Sequence, residues 1–130
     1  MSRRAPPDVA GDRGSVTVVT AAVMAVALVV ALASADVARV LMAKGSAQTA
    51  ADAAALAAAQ DLVLASATSP AADAAAFAQA NGALLVACDC APGSTEAIVT
   101  VRLPVTMAFL GGTREVVATA RAVTDSQTFP

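Results

Sequence analysis

An apolar run occupies much of the first third of the chain. No charged residue occurs between Ser15 and Ala35, and the only polar side chains there are serine and threonine, whose hydroxyls can bond back to helix carbonyls. These 21 residues would form a helix about 31 Å long, which matches the roughly 30 Å hydrocarbon core of a bilayer. The pattern therefore predicts a transmembrane helix over residues 15–35.

The helical pattern continues beyond this run. The residues after Asp36 are strong helix formers, and no proline follows until Pro70. A helix from Ser15 to about Ala65 would extend roughly 75 Å, so its second half must project out of the membrane. The one weak point is Gly45-Ser46, where a hinge or kink is expected.

Small residues dominate the projecting half. Either they make a smooth surface that lets another helix approach closely, or they reflect only a biased genome composition. They are Ala47, Ala50, Ala51, Ala54, Ala55, Ala58 and Ala59. The spacing of Asp36 and Arg39, and of Asp52 and Asp61, is ordinary for a solvated helix face, so we assign these residues no catalytic or ligand role.

The remaining sequence predicts one short helix and three strands. Ser69-Pro70 is a helix start and Asn81-Gly82 a helix end. The segments "ALLVACDC", "EAIVTVRLPVT" and "EVVATARAVT" are rich in β-branched residues and are separated by glycine-containing turns. The prediction is an α+β fold with a long N-terminal transmembrane helix, a short second helix and a small three-stranded antiparallel sheet packed on the long helix.

Composition limits the core and the chemistry. More than a quarter of the residues are alanine, which removes little area from water, so Phe77 and Phe109 are the expected core anchors; Phe129 lies at the chain end. The chain has no His, Trp or Tyr and a net charge of -2. It therefore lacks the usual groups of acid-base catalysis and of base stacking, and we predict no enzyme, no cofactor and no nucleic-acid partner.

The charges flanking the apolar run predict its orientation. Arg3, Arg4 and Arg13 precede the run, and the first charge after it is Asp36. The positive-inside rule then places the N-terminus in the cytoplasm and the rest outside, in a single-pass arrangement at the cell membrane. The predicted division is a cytoplasmic leader (1–14), a transmembrane helix (15–35), its extracytoplasmic extension (36–68) and a small helix-and-sheet unit (69–130).

Three fates of the N-terminus remain open from the residues alone. The small residues Ala33 and Ala35 fit a signal-peptidase site, and a cut there would release a soluble protein. A cut after Gly14 would instead remove a short charged leader and leave Ser15 as the new terminus of an intact helix. In the third case nothing is cut, Gly14 ends the tail and Ser15 caps the helix of an anchored extracellular binding module.

Cys88 and Cys90 are the only residues that could carry chemistry. Outside the membrane a nearby pair is expected to oxidise, yet residues i and i+2 of a regular strand are about 6.6 Å apart, near the limit for a disulfide. Closure demands a bend, which Pro92-Gly93 lies close enough to provide. A local disulfide, an intermolecular disulfide and free thiols are the alternatives; no further Cys or His completes a metal site.

The order of these segments resembles TadE/TadG-like proteins of Flp (tight adherence) pilus assembly, especially the short actinobacterial TadE-like type encoded beside secretion genes. The resemblance rests on "DRGSVTV", the apolar helix, "AQTAADAAALAAAQ", the helix end "AQANG" and the short strands before "VVATARA". It covers Arg13 to Val123.

This resemblance implies a structural, pilin-like minor pseudopilin or assembly factor of a Flp/Tad-type pilus or related type II/IV secretion apparatus. It implies a cut by a prepilin peptidase between Gly14 and Ser15, and partners among other pilin-like or secretion-apparatus subunits. The family pattern often has Glu at the fifth mature position, where it can pair with a neighbouring subunit's terminal amine. This chain has Val19 there, which favours a membrane-held assembly factor over a filament subunit.

Overall fold

One very long helix carries a small sheet and a second helix on its C-terminal half. The computed structural model describes residues 12–64 and 67–124 of the 130-residue chain, with side chains from residue 14 onward. The elements are α1 (Asp12–Leu64), α2 (Pro70–Ala80), β1 (Leu84–Asp89), β2 (Glu96–Thr106) and β3 (Thr113–Val123). This arrangement confirms the predicted α+β fold. Arg3, Arg4, Phe129 and the side chain of Arg13 lie outside the described residues.

Helix α1 has 53 residues and is therefore about 80 Å long. It continues through Gly45-Ser46, so the helix does not end or restart at the predicted weak point. A glycine inside a helix costs only about 1 kcal/mol. The buried neighbours Ala43 and Ala47 hold this part of α1 against the rest of the fold, and that packing offsets the cost.

Helix α2 has the ends that its sequence predicts. Ser69 is the N-cap, and its hydroxyl accepts the N–H of Ala72 at 3.2 Å, while Pro70 occupies the first helical position. At the other end Gly82 adopts a left-handed conformation with φ +76°. Both predicted boundaries are confirmed.

The three strands form an antiparallel sheet in the order β1-β2-β3. Strands β2 and β3 pair along their whole length, from Glu96↔Val123 to Thr106↔Thr113. Strand β1 is shorter, and its register shifts between Leu85 and Ala87. The sheet is the predicted one, and the long β2–β3 hairpin is its main body.

Alternation along β2 decides which face of the sheet meets the helices. Ala97, Val99 and Val101 are fully buried, whereas the intervening side chains point away from α1. On the outer face Thr100 and Thr119 lie within hydrogen-bonding distance at 3.1 Å. Other outer-face pairs are the ion pairs Arg102–Glu115 and Arg121–Glu96. One face is therefore core and the other is polar, as the alternating pattern predicts.

The core consists almost entirely of small side chains. On α1 the buried residues follow the three-and-four spacing of one helix face. They are Ala43, Ala47, Ala50, Ala51, Ala54, Ala55, Ala58 and Ala59, facing Ala74 and Ala78 of α2 and the inner face of the sheet. The prediction that Phe77 and Phe109 anchor the core is wrong, because they are 51% and 44% exposed. Alanine on α1 and α2 fills the interface between the elements, where an aromatic ring would hold them apart.

Candidate functional site

The two halves of α1 meet at Asp36. None of the residues from Gly14 to Ala35, here called the apolar half, is buried. Asp36 is only 1% exposed and begins the packed half, residues 36–64, which carries the sheet and α2. The prediction that Asp36 lies on a solvated face is therefore wrong.

Asp36 binds the loop that joins β2 to β3, residues 107–112. Its Oδ1 accepts the N–H of Ala108 at 2.9 Å. Its Oδ2 accepts the N–H groups of Phe109 at 2.9 Å and Leu110 at 3.0 Å. Three successive backbone N–H groups thus converge on one carboxylate, an arrangement that favours an anion.

Two glycines give the β2–β3 loop the shape that this arrangement requires. Gly111 and Gly112 have φ values of +69° and +81°, a region that side chains disfavour. The N–H of Met107 donates to the carbonyl of Gly112 at 3.0 Å, which closes the loop at its base. The side chain of Met107 is buried, while Phe109 and Leu110 are exposed.

The surroundings of Asp36 favour its charged form. The N–H groups of Leu110 and Ala108 lower the pKa of Asp36, and the N–H of Phe109 adds to them, against the opposing effect of burial. The guanidinium of Arg39, with Nη1 3.6 Å from Oδ1, contributes less. A carboxylate held in this way is a fixed anion that joins α1 to the loop and is poorly suited to donate a proton.

Sequence reasoning missed this contact because its two parts are 72 to 74 residues apart. Two features of the sequence bear on this contact. Asp36 is the first charge after 21 uncharged residues, and the only Gly-Gly pair of the chain follows the loop residues that it binds. Neither feature alone identifies the partner of the carboxylate.

Comparison with known families identifies the part of the chain that contains this junction. Residues 14–61 match the model of a family described as putative Flp pilus-assembly TadE/G-like. Over this segment the chain resembles TadE/G-like proteins. The matched TadE/G-like segment includes the whole apolar half, Asp36 and most of the packed half, and it stops before α2. No curated protein and no solved structure gave a significant match. The predicted family resemblance is thereby confirmed on α1.

Gly14 and Ser15, the predicted processing residues, open the TadE/G-like segment. Both lie within α1, which begins at Asp12, and both are exposed. The helix therefore begins before Ser15, so Ser15 is not its N-cap, while the uncut anchored chain stays an alternative. Along the helix Ser15 lies about 31 Å from Asp36, so the processing residues and the junction are separate places. Cleavage between Gly14 and Ser15 stays a prediction.

Cys88 and Cys90 lie outside the TadE/G-like segment, at the end of β1. The structure joins their Sγ atoms, with the Cα atoms 5.4 Å apart. Strand β1 ends at Asp89, between them, so the second cysteine is already free of the strand geometry that would oppose closure. Among residues 12–64 and 67–124, no three His, Cys, Asp or Glu side chains are grouped so as to hold a metal ion.

A pair of acidic groups joins the C-terminal end of α1 to the first turn of α2. A hydrogen bond with Asp61 of α1 raises the pKa of Asp73 of α2. The hydroxyl of Thr68 donates to Oδ2 of Asp73 at 3.0 Å and opposes this shift. This contact therefore favours the protonated form of Asp73, whereas the surroundings of Asp36 favour its charged form.

Proposed function

We propose that the protein is a membrane-anchored, non-enzymatic, pilin-like assembly factor of a Flp/Tad-type pilus or a related secretion apparatus. Its N-terminus would lie in the cytoplasm and its sheet and α2 outside. The observation that carries the proposal is the TadE/G-like match over a helix of which one half is apolar and has no buried residue, while the other half bears a small domain.

The apolar half has the surface of a segment that lipid surrounds. Large apolar side chains are exposed along its whole length, for example Val16 at 67% and Leu28 at 62%. In water this surface would be an aggregation hazard, whereas a bilayer covers it on every side. The hydroxyls of Thr20 and Ser34 donate to carbonyls four residues earlier, so they too are compatible with lipid.

Processing by a prepilin peptidase is part of the proposal. Gly14 is exposed at the start of the apolar half, and a cut after it would leave α1 long enough to span the bilayer. The mature chain would begin at Ser15 and have Val19 where related sequences often have Glu. Without that carboxylate a subunit lacks the usual partner for a neighbour's amine, so we assign the protein to assembly in the membrane, beside other pilin-like subunits.

Intact mass of the protein from the membrane fraction, isolated through a C-terminal tag, tests processing. We expect a chain that begins at Ser15. Gly14→Leu should leave the leader attached, whereas the matched control Gly11→Leu should be processed normally. An unprocessed wild-type chain would contradict the peptidase step.

Function needs its own test, in cells. Deleting the gene should reduce the number of surface pili or the export through the related secretion apparatus. Returning the wild-type gene should restore the lost pili or export. Unchanged assembly and export in the deletion strain would contradict the proposed role, even if the protein is processed.

A second candidate is a soluble protein released by a cut after Ala35. The position of Asp36 favours it, because a cut there would remove none of the buried residues and would leave the packed half with its sheet and α2 whole. Against it, residues 33–37 lie in the interior of α1, whereas Gly14 lies in its first turn, where a helix unwinds at less cost. A soluble chain beginning at Asp36, with none in the membrane fraction, would establish this candidate and refute the anchor.

A further inference from the structure

We propose that the β2–β3 loop is a second membrane contact, in which Phe109 and Leu110 insert into the interfacial layer of the leaflet from which α1 emerges. This inference rests on the anchoring role proposed above and goes beyond it. It gives the sheet a fixed position at the membrane surface, in addition to its attachment to the helix.

The β2–β3 loop lies at the end of the uncharged run of α1. The three hydrogen bonds of 2.9–3.0 Å from the loop end on Asp36, which directly follows the uncharged run of residues 15–35. A charged residue at the end of such a run lies where the helix leaves the hydrocarbon. The loop is therefore held at the level of the membrane–water interface.

The β2–β3 loop is uncharged, and its tip is apolar. No charged residue occurs between Leu103 and Thr113. At its tip Phe109 is 44% and Leu110 67% exposed, although both are large and apolar. Aromatic and aliphatic side chains of this size are the ones that interfacial segments bury in the headgroup and acyl boundary.

The backbone of the loop removes the usual obstacle to insertion. Free N–H groups resist transfer from water, because each loses hydrogen bonds that lipid does not replace. Here the N–H groups of Ala108, Phe109 and Leu110 are already bound by Asp36, and that of Met107 is bound by Gly112. The tip thus presents apolar side chains over a backbone whose donors at residues 107–110 are satisfied.

Two arginines lie at the same level along α1 as the loop, where they suit the polar headgroup of a lipid. Arg39 lies one helical turn beyond Asp36 and is about half exposed, and Arg114 is exposed at the start of β3 beside the loop. Their guanidinium groups can bind lipid phosphates while the two apolar side chains lie deeper.

Lipid fits the loop better than a protein partner because of what lies beside it. The loop adjoins the apolar half of α1, so one bilayer covers both surfaces continuously. Exposed Phe77 is different. Asn81, the C-cap of α2, shares a shallow pocket with residues 42–49 of α1, and α2 runs from there toward Asp61 when followed backward along the chain. Phe77 precedes Asn81 by one helical turn, so it lies about 15 Å or more beyond Asp36 along α1.

Tryptophan fluorescence of the full-length chain in phosphatidylcholine vesicles tests the inference. The sequence has no Trp or Tyr, so each substitution creates a single reporter. Phe109→Trp tests the loop, Phe77→Trp is the matched control on α2, and Val23→Trp reports on the apolar half. Circular dichroism of each variant checks that the helix content is unchanged.

We expect brominated lipids to quench Trp at position 109 at least about twofold more than at position 77, with a blue-shifted emission. Adding Asp36→Ala, which frees the loop, should reduce this quenching. The inference is overturned if Trp at 109 remains as water-accessible as Trp at 77. It is equally overturned if the emission is blue-shifted without quenching by brominated lipid, because a protein then covers the loop.

The reporter at position 23 separates this inference from the proposed function. If brominated lipid quenches Trp at 23 but not at 109, the anchor stands and only the loop contact fails. If it quenches neither, the anchoring role fails as well.

Discussion

The two halves of α1 show the same helix adapted to two different surroundings. The apolar half exposes large side chains such as Val26 and Leu28, and the packed half buries small ones such as Ala50 and Ala54. Size and burial are thus inverted relative to an ordinary soluble helix, in which the largest apolar side chains lie inside. The hydrophobicity of a residue therefore does not by itself identify the core of this protein.

The inversion has one physical cause in each half. In the proposed anchor, lipid fills space around any apolar shape, so the apolar half would need bulk and no complementarity. In the packed half, a sheet and a second helix lie directly against α1, and small side chains let backbones come close enough for dense packing. Each buried alanine removes little area from water, so the domain depends on many contacts of good fit.

The largest expected effect comes from adding a charge to the apolar half. Val26→Arg should make membrane insertion less favourable by about 3 kcal/mol, because the guanidinium would lie near the bilayer centre. The matched control is Val63→Arg in the packed half, since the two valines are 64% and 65% exposed. The fraction of chain that resists extraction from membranes measures the effect. Equal losses for both variants would contradict the division of α1 at Asp36.

The second prediction reverses the usual ranking of core substitutions. Ala54→Leu should lower the free energy of unfolding by about 1–3 kcal/mol, because Ala54 has no exposed surface and the extra atoms have no space. Leu56→Ala should change it by well under 1 kcal/mol, because Leu56 is 57% exposed. Chemical denaturation of the sheet domain in detergent micelles measures both. A larger loss from Leu56→Ala would contradict the alanine core.

The third prediction concerns the contact that joins the two halves to the sheet. In Asp36→Ala the N–H groups of residues 108–110 lose their acceptor, so their hydrogen exchange should accelerate by about tenfold or more. The matched control is Asp52→Ala, on the exposed face of the packed half. Unchanged exchange in Asp36→Ala would show that the loop is held by other contacts.

Local patterns predicted the elements of this fold well, and for physical reasons. The ends of α2 depend on Ser69, Pro70 and Gly82, whose effects are confined to a single helical turn. The buried face of β2 follows from the alternation of its own residues. In each case the relevant interactions lie within a few residues of one another.

Contacts between distant segments could not be predicted in the same way. The loop that binds Asp36 lies more than 70 residues away, and the position of this aspartate after the uncharged run does not identify its partner. Size alone places Phe77 and Phe109 in the core, yet the alanine faces of α1 and α2 leave no room for a ring. Which residues meet across a domain depends on the shape of all the elements together.

A fourth and smaller effect involves the disulfide in the sheet domain. If that domain is outside the cell, the intact mass under non-reducing conditions should fall about 2 Da below the reduced mass, because closing the bond removes two hydrogens. The double variant Cys88→Ser, Cys90→Ser should lose only about 1–2 kcal/mol, since the closed loop is very short. Two free thiols in protein isolated from cells would contradict an oxidising location for the packed half.

The smallest effects should come from pH, and they have opposite signs at the two ends of the packed half. Hydrogen bonds from the loop lower the pKa of Asp36, so its contribution to stability is present above about pH 4 and is lost as pH falls through the lowered value. The hydrogen bond with Asp61 raises the pKa of Asp73, so that contribution is present below about pH 4 and is lost as pH rises through the raised value.

Hydrogen exchange at residues 108–110 and in α2 measures these two opposite effects of pH in one sample. Acidification below about pH 4 should release the amides of residues 108–110, after correction for the intrinsic exchange rate. Over the range just above that pH, rising pH should instead release the amides of α2. Asp36→Asn should abolish the first change and Asp73→Asn the second. If exchange in both regions accelerates with the same direction of pH change, the opposite pKa shifts assigned to Asp36 and Asp73 are wrong.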